Sequence, residues 1–339
     1  MAGLDAARLA RLDGILAGHV DSGSTPGLVA LVSRGEQVHV SVHGTTERDG
    51  AGRPVTRDTI FRIASMSKPV AAVATLILVE ECLLRLEDPV DTLLPELADR
   101  RVLRTMSSPL ADTVPAHRQV TVRDLLTFTW GFGQLFADPD DYPVLAAARD
   151  AGIGMGPPAP GSMPAPDEWI KRLGALPLLC QPGERWLYNT GSDVLSVLVA
   201  RAAGQPFAEF LRERVFTPLG MADTGFSVPA GKLGRFLPAY HTNFATGAIE
   251  VFDPVDGQWA TEPAFPAGSG GMVSTVDDYL ALARMLLSGG RYPGGRLLSR
   301  PSVELLATDH LTPAQKAISG LLPSDFDAMG WGYGVAVVT

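Results

Sequence analysis

The 339-residue chain is 46% apolar, enough to bury a sizeable core, and its 28 basic against 37 acidic side chains leave a net charge of −9. With no basic run, that balance argues against nucleic acid or an anionic membrane surface as a partner. The two cysteines, Cys82 and Cys180, lie far apart without metal-ligand spacing, so each is expected as a buried free thiol rather than part of a disulfide-stapled scaffold.

Leu4, Leu9, Leu12, Ile15 and Leu16 recur at three- and four-residue steps, which predicts an amphipathic helix ending near Gly18. Residues 1–19 lack the apolar core of a signal peptide, and no stretch approaches the ~20 apolar residues of a membrane span, so a cytoplasmic location and no membrane partner are expected. Pro26-Gly27 punctuates the chain. Leu28 to Ser33 and Val38 to Val42 then read as a hairpin turning at Arg34-Gly35-Glu36. His39 and His43 sit on that hairpin without a third ligand nearby, and no metal or other cofactor is expected.

The stretch Phe61 to Val70 places the Ser65 hydroxyl three residues before the Lys68 amine, at the mouth of an apolar helix running to Val79. Residues at i and i+3 are neighbours on a helix face, serine suits a helix start, and Pro69 is tolerated in a first turn. A helix apolar all round is a buried one. A lysine can take the proton of a serine only if burial or positive potential lowers its proton affinity. S-x-x-K also arises by chance as a solvated helix start, so its surroundings carry the argument.

Further along, Thr121 caps a short helix, and Phe128, Trp130 and Phe132 follow; these aromatics either line a pocket or pack in the core. The Gly/Pro-rich residues 152–161 form a loop, either a flap near the site or a plain surface insertion. Tyr188 follows the Pro182-Gly183 turn and precedes an apolar helix starting near Asp193. Pro206 to Leu219 predicts another amphipathic helix, Gly268 to Gly271 a tight turn, Thr275 the cap of a helix reaching Gly289-Gly290, and Gly330 to Thr339 a strand entered through glycines.

The run Thr59 to Lys68 resembles the nucleophile segment of the serine hydrolases that include class C β-lactamases, D-alanyl-D-alanine peptidases and family VIII carboxylesterases. The helix-then-hairpin opening, Leu93 to Leu97, Pro218-Leu219-Gly220-Met221 and Gly268 to Thr275 are similar to that family too. The Tyr188 segment resembles the second catalytic motif, closer to the esterases' Tyr-x-x-x-x-Asp-Val-Leu than to the β-lactamases. The latter carry Asn two residues after the Tyr, where this chain has Thr190, and Asn189 is one position early. Where the family usually continues with His and Ser-Gly, this chain has Phe128 and Trp130-Gly131, then Phe132.

The resemblance implies an α/β, transpeptidase-like fold. In it, an antiparallel sheet from the N-terminal hairpin and C-terminal strands (residues 1–62 and 236–339) flanks an inserted, mostly helical domain (63–235), with the site in the cleft between. It implies Ser65, Lys68 and Tyr188 as catalytic and Phe132 and Thr190 as substrate-binding residues, on a small ester or amide. Which of Lys68 and Tyr188 is the base stays open, as does the oligomeric state. A carboxylesterase of small apolar esters, working through an acyl-enzyme, is expected; β-lactamase or D-alanyl-D-alanine peptidase activity, or a non-catalytic binding role, are the alternatives. No G-x-S-x-G occurs, which excludes the α/β-hydrolase nucleophile elbow. The family's third motif, Lys/His-Thr-Gly or Trp-Gly-Gly, is not found either, so the chain is expected to be truncated or its site completed differently. An unpaired apolar edge would then make it less stable than a version extended by roughly fifty residues.

Overall fold

In the computed structural model the described residues are 3–48, 50, 52–135, 141–154, 156–243, 245–320 and 326–339. In chain order the elements are α1 (Ala6–Asp21), β1 (Gly27–Arg34), β2 (Gln37–Gly44), β3 (Phe61–Arg62), α2 (Ser67–Glu80), β4 (Arg101–Leu103), β5 (Thr113–Pro115) and α3 (Val122–Thr127). They continue with α4 (Pro143–Asp150), α5 (Pro166–Gly174), α6 (Thr190–Ala203), α7 (Phe207–Leu211) and α8 (Thr217–Leu219). Then follow β6 (Ala239–Thr242), β7 (Ile249–Asp253), β8 (Val273–Ser274), α9 (Val276–Leu287), β9 (Arg291–Tyr292), β10 (Gly295–Arg296), α10 (Arg300–Leu306), α11 (Pro313–Ala317), β11 (Met329–Trp331) and β12 (Ala336–Val338). None of the described helices is singly long and apolar enough to cross a membrane.

These elements form two compact units. The first comprises Met1–Arg62, Met221–Glu262 and Val273–Ala281. Here Asp5 caps α1 by accepting the Arg8 N–H at 2.8 Å, and the helix runs one turn past its expected end before Gly23 turns the chain at φ +71°. β1 and β2 pair antiparallel in the expected hairpin, from Gly27 opposite Gly44 to Arg34 opposite Gln37. α1 lies on β2, where the Asp13 carboxylate meets His39 Nε2 at 2.9 Å and accepts from Ser41 Oγ. The core of this unit is Ile60, Val228, Phe236, Trp259 and Val273. Arg62 leaves β3 with its guanidinium 4.1 Å from the Phe236 ring centre and 4.8 Å from that of Trp259, paired to the buried Asp253 carboxylate. Thr275 caps α9 as expected, accepting the Asp278 N–H at 3.2 Å.

The second unit comprises Ile63–Gly220, Pro263–Met272 and Leu282–Thr339. Its centre is the pairing of α2 with α6, with α3 and α5 on α6. Val70 to Ala74 and Leu76 to Leu78 are all buried, which is what an apolar-all-round helix requires. Gly191 is needed where α6 meets α3, because a Cβ there would lie 2.7 Å from the Leu125 carbonyl oxygen. Thr121 and Asp124 close a reciprocal cap on α3: the Asp124 carboxylate accepts the Thr121 N–H at 2.9 Å, and Thr121 Oγ1 accepts the Asp124 N–H at 3.2 Å. The expected helix from Pro206 is present as α7 and α8, with a π-helical turn at Arg212–Phe216 between them. Pro218 has no N–H for an ordinary helical bond there.

Three expectations are corrected. Cys82 is exposed, not buried: α2 ends at Glu80, and Cys82 turns the chain at φ +59°. Cys180 is buried as expected, and burial pushes its thiol up to about 12. The C-terminal segment is a hairpin rather than one strand, since Gly334, at φ +68°, reverses the chain and lets β11 and β12 pair with each other. The described strands accordingly form separate two-stranded ladders, not one sheet built from the N-terminal hairpin and the C-terminal strands.

Candidate active site

Ser65 does not begin an α-helix. It lies in a 3₁₀ turn, Ala64–Met66, that feeds α2, entered through Ala64 at φ 43°. A side chain at positive φ is strained, and such strain persists where the surroundings over-determine it. The turn keeps Ser65 exposed, while Lys68, in the first turn of α2, is 2% exposed. Lys68 Nζ donates to Ser65 Oγ at 3.0 Å and to the Ser269 carbonyl oxygen at 2.5 Å. An accessible hydroxyl thus meets a sequestered amine.

Burial pushes Lys68 down to about 8, against the opposing pull of the Asp193 charge. Asp193, in the first turn of α6, is buried, and desolvation pushes its carboxyl up although it accepts the Ser269 N–H at 3.0 Å. The turn carrying Ser269 is held on both flanks: Ser196 Oγ accepts the Gly268 N–H at 2.9 Å, and Ser67 Oγ accepts the Met272 N–H at 3.2 Å.

Tyr188 presents its ring to Lys68, with Nζ 4.5 Å from the ring centre, within cation–π range. Its other neighbours are Phe128, Trp186 and Trp331, at 5.9, 5.6 and 6.0 Å between ring centres. The backbone just beyond is tightly turned: the Thr190 N–H reaches the Tyr188 carbonyl at 3.2 Å across Asn189, whose φ of 82° and ψ of −70° describe a strained γ-turn. Among the residues singled out from sequence, Ser65, Lys68 and Tyr188 therefore come together.

Phe132 and Thr190 are fully buried. Phe132 packs against Trp130, 5.7 Å between ring centres, and the Thr190 hydroxyl has no partner among the described residues. Phe128 is fully buried as well, and its ring packs edge-on against Tyr188. The Gly/Pro-rich loop comes close to the Ala64–Met66 turn through Pro158: a Cβ on Gly270 would lie 2.7 Å from Pro158 Cγ and 3.7 Å from the Ala64 carbonyl carbon. Met155 of that loop lies outside the described residues.

Sequence reasoning missed Ser269 and the neighbourhood of Asp193. The available signal was an acid placed directly before the largely apolar run Val194 to Val199 of a buried helix. The described residues contain no group of three His, Cys, Asp or Glu side chains able to hold a metal ion.

A family model described as beta-lactamase matches residues 12–337. Protein Rv1367c of Mycobacterium tuberculosis is 39% identical over 320 residues, covering 94% of this chain and 76% of that protein. Esterase EstB of Burkholderia gladioli is 33% identical over 349 residues, covering 98% and 80%. Among solved structures, EstCE1, described as a hydrolase with promiscuous acyltransferase activity, superposes with a TM-score of 0.77 at 25% identity over 97% of this chain and 82% of its own. The fold is therefore β-lactamase/transpeptidase-like, and the chain belongs to the beta-lactamase family, among its serine hydrolases related to esterases and acyltransferases.

Proposed function

We propose that the protein cleaves small carboxylic esters through an acyl-enzyme on Ser65. The observation that carries this reading is the exposed Ser65 hydroxyl 3.0 Å from a buried amine whose proton affinity is lowered. Lys68 takes the hydroxyl proton as Ser65 Oγ attacks the ester carbonyl carbon. The tetrahedral intermediate collapses, the C–O bond to the alcohol breaks, and the leaving alkoxide receives that proton. Water then adds to the acyl-serine with Lys68 again taking the proton, and the acid leaves as Ser65 recovers its hydrogen. The Tyr188 ring stabilises Lys68 in its protonated form between these steps.

Small, apolar acyl and alcohol groups suit the half-buried Tyr188 ring, behind which Phe128, Trp186 and Trp331 form a buried aromatic cluster. Esters are favoured over β-lactams and D-alanyl peptides because Thr190 stands at the position where the β-lactamases carry their asparagine, so the amide group of that motif is missing. The test is p-nitrophenyl butyrate hydrolysis by the wild type and Ser65→Ala, alongside a chromogenic cephalosporin and a fluorophosphonate label. Turnover and labelling that vanish in Ser65→Ala support the reading; a wild type that neither turns over nor labels leaves the binding role. A second reading, transfer of the acyl group to an alcohol in place of water, draws on the description of EstCE1 and on the Tyr188 ring beside Lys68. It predicts a butyrate ester as product when an alcohol is supplied.

A further inference from the structure

We propose that Asp193 is a positioning residue for the Ser65–Lys68 pair, acting through the peptide of residue 269, which it holds so that the Ser269 carbonyl fixes the orientation of the Lys68 amine. The inference rests on the reading that Ser65 is the nucleophile and Lys68 its base.

A neutral amine has two N–H groups and one lone pair. A carbonyl oxygen can only accept, so the 2.5 Å contact commits one N–H of Lys68 to Ser269. That commitment stops the amine from spinning freely, and the lone pair can then face Ser65 Oγ, 3.0 Å away. The carbonyl can do this only if residue 269 stays in place. Its own N–H is held by Asp193 Oδ1 at 3.0 Å, and Gly268 is held by Ser196 on the same face of α6. Residue 269 is thus tied to α6 on its nitrogen side and to α2 on its oxygen side.

The backbone N–H would be served equally well by a neutral amide, at lower desolvation cost than a buried carboxylate. The charge itself therefore acts elsewhere, on Lys68, where it opposes the effect of burial. Among the described residues the groups facing Lys68 are Ser65 from the turn before α2, the Tyr188 ring from the segment before α6, the Ser269 carbonyl and Asp193 from α6. Of these, Asp193 supplies the only formal charge.

Two conservative variants separate position from charge. Asp193→Asn keeps an acceptor at Oδ1 and loses the charge; Asp193→Glu keeps the charge and moves the acceptor by a methylene group. The assay is the pH profile of kcat and kcat/KM on p-nitrophenyl butyrate, with Ser65→Ala as reference. In Asp193→Asn the acid limb of kcat/KM is expected to move to lower pH by about one unit, since an opposing charge has been removed. In Asp193→Glu the limb is expected to stay while kcat falls about tenfold to a hundredfold, with KM unchanged in both variants. Wild-type kcat in Asp193→Glu overturns the proposal, and a wild-type acid limb in Asp193→Asn overturns the part given to the charge. If Asp193→Glu does not fold, Asp193→Ala, which removes the acceptor of the Ser269 N–H altogether, decides through the same loss of kcat at unchanged KM. Turnover persisting in Ser65→Ala would instead overturn the underlying reading, so the two failures are distinct.

Discussion

Replacing Gly270 with alanine sets a methyl carbon 2.7 Å from Pro158 Cγ and 3.5 Å from Pro158 Cβ. Ordinary contact begins near 3.4 Å, so the proline ring must withdraw by roughly 0.7 Å, and overpacking of this kind typically costs about 1–3 kcal/mol. A proline ring yields less readily than a flexible side chain, so the displacement passes to the loop and carries it away from the Ala64–Met66 turn. Pro158→Ala removes Cγ and keeps Cβ at ordinary contact distance, so the alanine at 270 should then be accommodated. Pro158→Ala has its own cost of about 0.4–1 kcal/mol from a freer unfolded chain, which makes the double-mutant cycle the informative experiment. Denaturant melts of the four proteins should give Gly270→Ala a loss of about 1–2 kcal/mol in the wild-type background and about zero in the Pro158→Ala background. Esters with longer acyl chains should gain relative to acetate in Gly270→Ala, as the loop recedes. An equal loss in both backgrounds would refute the reasoning, since the penalty would then arise from something other than the Pro158 contact.

Hydrolysis should rise with pH through an acid limb near 8, the value to which burial brings Lys68, because only the proton-free amine accepts from Ser65; initial rates between pH 5 and 10 check this. Stability should respond to the same pair with opposite slopes. Between about 8 and 10.5 the unfolded chain holds a Lys68 proton that the folded chain has released, so stability rises with pH. Between 3.8 and about 6 the folded chain holds an Asp193 proton that the unfolded chain has lost, so stability falls as pH rises. Both slopes should flatten in melts of the double variant Lys68→Met/Asp193→Asn. Arg62→Met should cost about 3–5 kcal/mol in urea unfolding, because the buried Asp253 carboxylate loses its partner. A cost below about 1 kcal/mol would mean that the bond from the Gln258 N–H to Asp253, 2.8 Å, suffices alone.

What the sequence disclosed follows the range of the forces involved. The hairpin at Gly35, the Thr121 and Thr275 caps and the buried run after Lys68 rest on contacts within a few residues, and each is present in the structure. The Ser65–Lys68 contact was legible for the same reason, being only three residues long. The 3₁₀ conformation at Ser65 was not, because Ala64 at φ 43° defies its own preference and is imposed from outside. Cys82 and Phe128 likewise sit at positive φ, against propensity, so α2 and α3 end where local reasoning gives no signal. The part of the site contributed by Ser269 comes from 201 residues beyond Lys68, and no periodicity or cap encodes such a pairing. Its residue types, a serine among glycines, read only as a turn.

That long span has a consequence for how the protein is made. Pro263–Met272 groups with the helical unit although the chain on either side of it, Met221–Glu262 and Val273–Ala281, belongs to the other. Ser269 leaves the ribosome 201 residues after Lys68 and 76 after Asp193, a delay of about four to fifteen seconds behind α6 at ordinary elongation rates. Through that interval α2 and α6 can already meet, yet the amine and the carboxylate they bury lack the peptide that joins them. On the proposed mechanism the nascent chain carries Ser65 and Lys68 without the late strap that orients them, and catalytic competence should arrive with the strap rather than with Ser65. A nicked protein should show the same order: an N-terminal fragment ending before Pro263 would fold helices but hydrolyse nothing until the remaining polypeptide is supplied in trans.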